Sequence, residues 1–173
     1  MIVATALPEF IIRSATSADS QLLLGFIKEL AQYEKLSHAV VASSAILEQN
    51  LFGERPYAEV LIAEFQGQAI GYALFFHSFS TFTGRPGIYV EDIYVQPQLR
   101  GNGFGKNLMS YIARLAIERN CSRMEWSVLD WNEPSIQFYR SIGAVAMDGW
   151  SVQRLDGAAL GNFAAEFIQG ESS

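Results

Sequence analysis

The spacing of apolar residues shifts along this chain between a helical and a strand period, and the shifts predict the order of its elements. Phe10–Arg13 reads as a short strand. Thr16, with Asp19 three residues on, has the form of a capping box that opens a helix. Leu22, Leu23, Phe26, Ile27, Leu30 and Ala31 then recur at helical spacing. Ser43 or Ser44 can cap a second helix, with Ile46, Leu47 and Leu51 on its inner face. From there the period shortens. Ala58–Phe65 and Ala69–Phe76 are rich in β-branched and aromatic residues, and Gln66-Gly67-Gln68 between them has the composition of a hairpin turn. Ser78–Gly87 reads as a polar loop, and Ile88–Val95 as a further strand. A glycine-rich turn leads into a helix from about Phe104 to Arg119, with Leu108, Ile112, Leu115 and Ala116 on one face. Arg123–Leu129 alternates Met124, Trp126 and Val128 with polar residues, the period of a half-buried strand. Asn132 is placed to cap a helix over Glu133–Ile142 that stops at Gly143, and a last strand is expected within Trp150–Leu155. Antiparallel strands followed by strand–helix–strand–helix–strand predict a mixed α/β sheet with helices on its faces.

Composition narrows the class. With 173 residues, the chain fits one domain with a sizeable core, expected over residues 9–168, with residues 1–8 and 169–173 as tails. Half the residues are hydrophobic and 17% charged, which excludes disorder. No apolar run approaches the roughly 20 residues that cross a bilayer. Met1–Pro8 is apolar but short and has no basic residue ahead of it, so no signal peptide is expected. Cys121 is the one cysteine, which leaves no internal disulfide and no cysteine zinc site, and a cytoplasmic location follows as the expectation. The net charge of −6 comes without any Lys/Arg run, so no nucleic-acid partner is expected. An acidic balance suits a cationic substrate and is equally ordinary for a soluble protein.

The sharpest local signal is Gln98-Leu99-Arg100-Gly101-Asn102-Gly103-Phe104-Gly105-Lys106, between a strand and an amphipathic helix. Alternating glycines let the backbone take conformations that L-residues resist and let a ligand approach closely. The helix that follows adds unpaired N–H groups and the positive end of its dipole, together a site for phosphate or pyrophosphate. The spacing departs from a Walker loop: Gly101 and Gly105 enclose three residues where that loop has four, and Asn107 follows the lysine. The dinucleotide fingerprint fails as well, because its third glycine would fall at Lys106. Taken alone, the loop could also be a turn that binds nothing.

With the preceding strand included, Tyr89-Val90-Glu91-Asp92-Ile93-Tyr94-Val95 and Arg100–Gly105 resemble the acetyl-coenzyme A signature of the GNAT superfamily of N-acetyltransferases, Arg/Gln-x-x-Gly-x-Gly/Ala. Leu129-Asp130-Trp131-Asn132 and Phe138–Ala144 resemble the family's second half-site. Within the superfamily the chain is similar to the diamine (spermidine/spermine) and thialysine Nε-acetyltransferases, through Ile27–Ala31, Tyr33–Ser37, Phe52–Glu54, Val128–Asn132 and Gly149-Trp150. Tyr33–Ser37 and Val128–Asn132 are closer to the thialysine type. His38-Ala39-Val40-Val41 lacks the acidic residues expected near a polyamine.

The resemblance implies a GNAT-like fold and acetyl transfer from acetyl-CoA to a primary amine of a small cationic molecule, in a homodimer with no membrane partner. It implies Glu91 as base, through water, and Tyr139 as the acid for the departing thiolate. It places Ile93, Tyr94, Val95, Arg100, Gly101, Asn102, Gly103, Phe104, Gly105, Lys106, Asn132, Ser135 and Tyr139 at the cofactor, and Tyr33, Glu34, Glu91 and Asp92 at the amine. Adjacent strand residues face opposite sides, so Glu91 and Asp92 share a site only if a bulge intervenes. Asn132 would have to divide itself between capping and the cofactor. A non-catalytic acyl-CoA-binding module and a protein N-acetyltransferase remain open on the same fold. His38 and His77 have no metal or triad spacing, and Cys121 reads as a small buried residue, so neither a metal nor a cysteine nucleophile is expected.

Overall fold

The computed structural model describes residues 1–167; the predicted boundary at 168 and the tail over 169–173 lie outside the described residues. The chain forms two compact units, Met1–Leu129 and a second that begins at Asp130.

The first unit is an α/β structure built on one sheet of six strands in sequential order. These are β1 (Ile2–Ala4), β2 (Phe10–Ser14), β3 (Glu59–Phe65), β4 (Gln68–Ser80), β5 (Arg85–Val95) and β6 (Met124–Trp126). All neighbours are antiparallel except β5 and β6, which run parallel because helix α3 (Phe104–Glu118) carries the chain back across the sheet. Helices α1 (Ser20–Tyr33) and α2 (Ser44–Phe52) precede β3.

Two apolar layers hold helices to both faces of the sheet, as the pattern predicts. On one face, Phe10, Ile12, Leu61, Ala73, Ile88 and Val90 pack against Phe104, Leu108, Ile112 and Leu115 of α3. On the other, Leu23, Phe26 and Leu51 of α1 and α2 meet Val60, Ile62, Tyr72 and Tyr94. The second layer contains a triad of rings: Phe26 lies 6.1 Å from Tyr72 and 5.9 Å from Tyr94, centroid to centroid.

Local signals at the start of the chain behave as read. The Asp19 carboxylate accepts from the Thr16 N–H at 2.8 Å in a capping box, although a 3-10 turn at Ser17–Asp19 precedes the α-helix proper. The Ser43 hydroxyl caps α2 by accepting from the Ile46 N–H. Gln66 and Gly67 turn the β3–β4 hairpin at φ 52° and 74°.

Four readings need correction. The segment Ser78–Gly87 is not a polar loop: β4 and β5 stay paired out to Ser80 and Arg85, and the turn shrinks to residues 81–84. Backbone pairing overrides the polar composition there, and Gly87 permits the close approach, since a Cβ at that position would lie 2.7 Å from the Ser78 hydroxyl. The strand read over Arg123–Leu129 is only Met124–Trp126 long. The stretch before Pro8 is not all tail, because Ile2–Ala4 pairs with β2. No strand forms within Trp150–Leu155, whose residues are exposed and have no sheet neighbour to take their hydrogen bonds.

In the second unit, helix α4 (Glu133–Ser141) starts at Asn132 and is closed by Gly143 at φ 87°. A further helix that the pattern did not announce, α5 (Gly157–Ala164), follows the coil.

Candidate active site

The sheet is irregular at one place along β5. Leu74 and Phe75 of β4 pair with Asp92 and Val90, which leaves Glu91 as an extra residue in the ladder. This β-bulge is the intervention that the adjacent acids required. Its effect can be read from the core: Val90 and Ile93 face the same α3-side layer, although an odd separation would send them to opposite faces of a regular strand. Parallel pairing with β6 also stops there, at Val90 opposite Trp126. Beyond it, the outer edge of β5 from Glu91 to Val95 has no strand neighbour among the described residues, an edge that can accept an extended ligand.

Three of the predicted carboxylates converge beside this edge, on a residue that the sequence reading passed over. The Tyr72 hydroxyl, in the middle of β4, donates to Asp92 at 2.8 Å. Burial raises the Tyr72 phenol far above its ordinary range, and the charges of Asp92, Glu34 and Glu91 push it the same way. Asp92 is itself raised, because burial disfavours its charge more than the Tyr72 hydrogen bond supports it. Glu34, the C-cap of α1, is raised by burial and then by the charge of Asp92. No cation is among the causes of either shift. Glu91 is exposed at the bulge. Three carboxylates so close together suit a positively charged group.

On the same strand, Tyr94 turns its side chain into the α1 layer and donates to Glu29 at 2.8 Å, so only its backbone reaches the edge. Ile93 and Val95 turn into the opposite layer, against α3.

The glycine-rich loop follows directly. Gly101 and Gly103 both take φ 84°, a left-handed conformation, and a Cβ at Gly101 would meet nothing within 4 Å. Gly103 is the N-cap of α3, so no side chain caps its first turn, where Phe104, Gly105 and Lys106 present N–H groups. Gly105 departs from expectation in one respect: its φ is ordinary and a Cβ would touch only Val95, at 3.9 Å. Asn102 is occupied locally, donating to the Leu99 carbonyl at 3.0 Å. Phe104 is a core ring, 4.6 Å from Phe10, and only its N–H faces the loop chemistry. Arg100 bonds the Val95 carbonyl through Nε at 3.0 Å, and its guanidinium lies 4.4 Å over the ring of Tyr33 at the end of α1. Left-handed glycines, an uncapped helix start, Arg100 and Lys106 together suit a phosphate or diphosphate group.

In the second unit, α4 carries the remaining predicted residues. Asn132 is buried at its N-cap, and its side chain makes no capping hydrogen bond, so capping does not claim it. Ser135 and Tyr139 follow on the helix, both partly buried, with the Tyr139 ring 5.5 Å from Phe138.

Among the described residues there is no group of acidic, cysteine and histidine side chains fit to hold a metal, and no helix long and apolar enough to cross a membrane. Tyr72 had one available signal: a polar-tipped aromatic in mid-strand, which pairs with Tyr94.

The acetyltransferase (GNAT) family model matches residues 27–144. The thialysine N-epsilon-acetyltransferase of Sus scrofa is 38% identical over 167 residues, covering 90% of this chain and 98% of the relative. The spermidine/spermine N(1)-acetyltransferase-like protein 1 of Homo sapiens is 32% identical over 94% of this chain, which spans 25% of that longer protein. Among solved structures, an integron cassette protein from the V. cholerae mobile metagenome superposes with a TM-score of 0.76 at 27% identity, covering 90% of this chain and 98% of the other. The bulged strand, the glycine loop and these relatives agree: the chain is an N-acetyltransferase and belongs to the acetyltransferase (GNAT) family.

Proposed function

We propose that this enzyme moves an acetyl group from acetyl-coenzyme A to the terminal amine of a small cationic amino acid of the thialysine or lysine type. The observation that carries the proposal is Asp92, partly buried beside Glu34, hydrogen-bonded to a tyrosine hydroxyl and in no ion pair among the described residues. The substrate's ammonium supplies the cation.

Coenzyme A would supply the acetyl group as a reactive thioester. The residues that would hold it are Arg100, Gly101, Gly103, Gly105 and Lys106 at the diphosphate, and the backbone of Ile93–Val95 along the open edge. The family resemblance adds Asn132, Ser135 and Tyr139 as cofactor residues of the second unit.

A lysine-type amine has a pKa near 10.4, so at pH 7 only about one molecule in 2,500 is neutral, a deficit of about 4.6 kcal/mol. The enzyme must therefore remove a proton as well as bind a cation. Glu91, exposed at the bulge, takes that proton through water, while Asp92 and Glu34 hold the amine. Tyr139 returns a proton to the departing sulfur; its hydroxyl, near pKa 10 by type, is close enough to a thiol near 8.5 for the transfer.

The same reading carries a cytoplasmic location and a homodimer. The exposed Val145, Met147, Trp150 and Val152 of the second unit support the homodimer, since a run of this kind marks an interaction surface. The test is release of free thiol from acetyl-coenzyme A with thialysine, lysine, putrescine, spermidine and spermine. The proposal expects the amino acids to lead. A tenfold or greater lead for spermidine or spermine sinks the amino-acid preference, and silence across the panel sinks the substrate class.

A further inference from the structure

Arg100 has an arrangement that anion binding alone does not require. Its Nε is committed to the Val95 carbonyl at 3.0 Å, at the end of the strand that precedes the loop. The central carbon of its guanidinium lies over the Tyr33 ring, 4.4 Å from the centroid, and 5.7 Å from the centroid of the Tyr94 ring. One edge is thus tied, the guanidinium sits over a ring, and the two Nη groups make no hydrogen bond or ion pair among the described residues. A guanidinium so held presents a fixed fork of donors, the geometry that suits bidentate phosphate recognition. Most of the rotational freedom that a long arginine would lose on binding is already gone.

The platform comes from α1, whose end is fixed twice against β5. Tyr94 donates to Glu29 at 2.8 Å, one turn before Tyr33. The aromatic triad of Phe26, Tyr72 and Tyr94 packs the helix onto the sheet beneath. The neighbour of Tyr33 in sequence, Glu34, is the residue whose charge meets Asp92. Adjacent residues at one helix end therefore look toward different parts of the site.

We propose that Tyr33 is a positioning residue for the acetyl donor: its ring holds Arg100 ready for a phosphate of coenzyme A, while Glu34 alone serves the amine from this helix end. This inference rests on the proposed use of coenzyme A and departs from the amine-binding role that resemblance implies for Tyr33. It separates two functions that sequence similarity joins in one Tyr-Glu pair.

The test is calorimetric binding of coenzyme A to the full chain at one fixed salt concentration, for wild type, Tyr33→Phe, Tyr33→Leu and Arg100→Lys. The Michaelis constant for the amine is measured alongside at saturating acetyl-coenzyme A. Loss of the ring should weaken coenzyme A about threefold to tenfold, the scale of a partly desolvated cation–π contact. Tyr33→Phe keeps the ring and should bind within about twofold of wild type, a conservative rescue. Arg100→Lys keeps the charge but not the plane, so it should lose a similar factor even if Tyr33→Leu folds poorly. In Arg100→Lys, adding Tyr33→Leu should cost little more. The amine constant should stay level in both Tyr33 variants. Wild-type affinity in Tyr33→Leu, or a raised amine constant in Tyr33→Phe, overturns the positioning role and leaves the donor assignment standing. Failure of wild type itself to bind coenzyme A overturns both.

Discussion

Two aspartates of the first unit occupy opposite electrostatic situations. Asp19, at the turn before α1, is gripped by Arg13 of β2, whose Nη1 and Nη2 donate at 2.8 and 2.7 Å. The hydrogen bond from Arg13 is the main reason that its pKa falls to about 2. Asp92, on β5, has a tyrosine hydroxyl and no ion pair among the described residues, and burial raises its pKa. A carboxylate that serves the fold brings its own counter-ion. One held without a counter-ion works against the fold, and the proposed function gives it a cation that arrives from outside.

The largest expected effect is at Asp92. Asp92→Asn keeps the shape and an acceptor for Tyr72 but removes the charge proposed to bind the amine. Loss of one partner of a desolvated charge pair costs about 2–5 kcal/mol, so kcat/KM for the amine should fall at least about 30-fold. Thermal stability should hold or rise. A carboxylate whose folded pKa lies above its unfolded value stabilises the fold only while protonated, and that contribution is lost as pH rises through the folded value. At neutral pH the charged Asp92 is therefore a cost that asparagine removes. Equal kcat/KM in the variant would break the comparison.

The glycines sharpen it. Gly103 sits at φ 84°, so Gly103→Val imposes strain of about 1–3 kcal/mol together with loss of coenzyme A binding. Gly105→Ala meets only ordinary contact and should keep wild-type stability while weakening coenzyme A. Melting curves and calorimetry on the pair would show whether fold and ligand demands separate here as they do for the aspartates.

Asp19→Asn is the mirror of the first experiment: stability should fall and kcat/KM should stay within about twofold. The drop of the Asp19 pKa from 3.8 to about 2 corresponds to about 2 kcal/mol. Because the folded value is depressed, this stability is present above pH 3.8 and is lost as pH falls toward 2. Denaturant melts across that window should slope for wild type and flatten for Asp19→Asn. The acid limb of amine kcat/KM should behave oppositely, starting above the ordinary carboxylate range because Asp92 and Glu34 are both raised.

The smallest effect belongs to Glu34→Gln. Its side chain is only partly buried, and about 0.2–1 kcal/mol on amine binding is the scale for such a charge. A loss as large as that of Asp92→Asn would mean that the pocket closes over both.

Much of the scaffold was legible because local chemistry and tertiary need coincide: the Thr16–Asp19 box, the Gln66-Gly67 turn and the apolar stripe of α3 all point one way. The glycine loop was legible for the same reason. The bulge at Glu91 was not, since no residue there has a special backbone requirement and the ladder alone reveals the extra position. Tyr72 was hidden because a tyrosine among apolar strand residues reads as core, which it also is. The Trp150–Leu155 segment misled because its alternation has the strand period, but a strand needs a neighbour that the described residues do not provide. The length of the β4–β5 hairpin was concealed by its polar tip.

The central claim is that Asp92 is kept for the substrate's ammonium. The most direct measurement is the structure of the enzyme bound to coenzyme A and lysine, a pair that cannot react. The account predicts the side-chain nitrogen of lysine within about 2.7–3.2 Å of an Asp92 carboxylate oxygen, with the Tyr72 hydrogen bond intact. A lysine held with its amine away from Asp92, or a protein cation drawn onto that carboxylate instead, would contradict it.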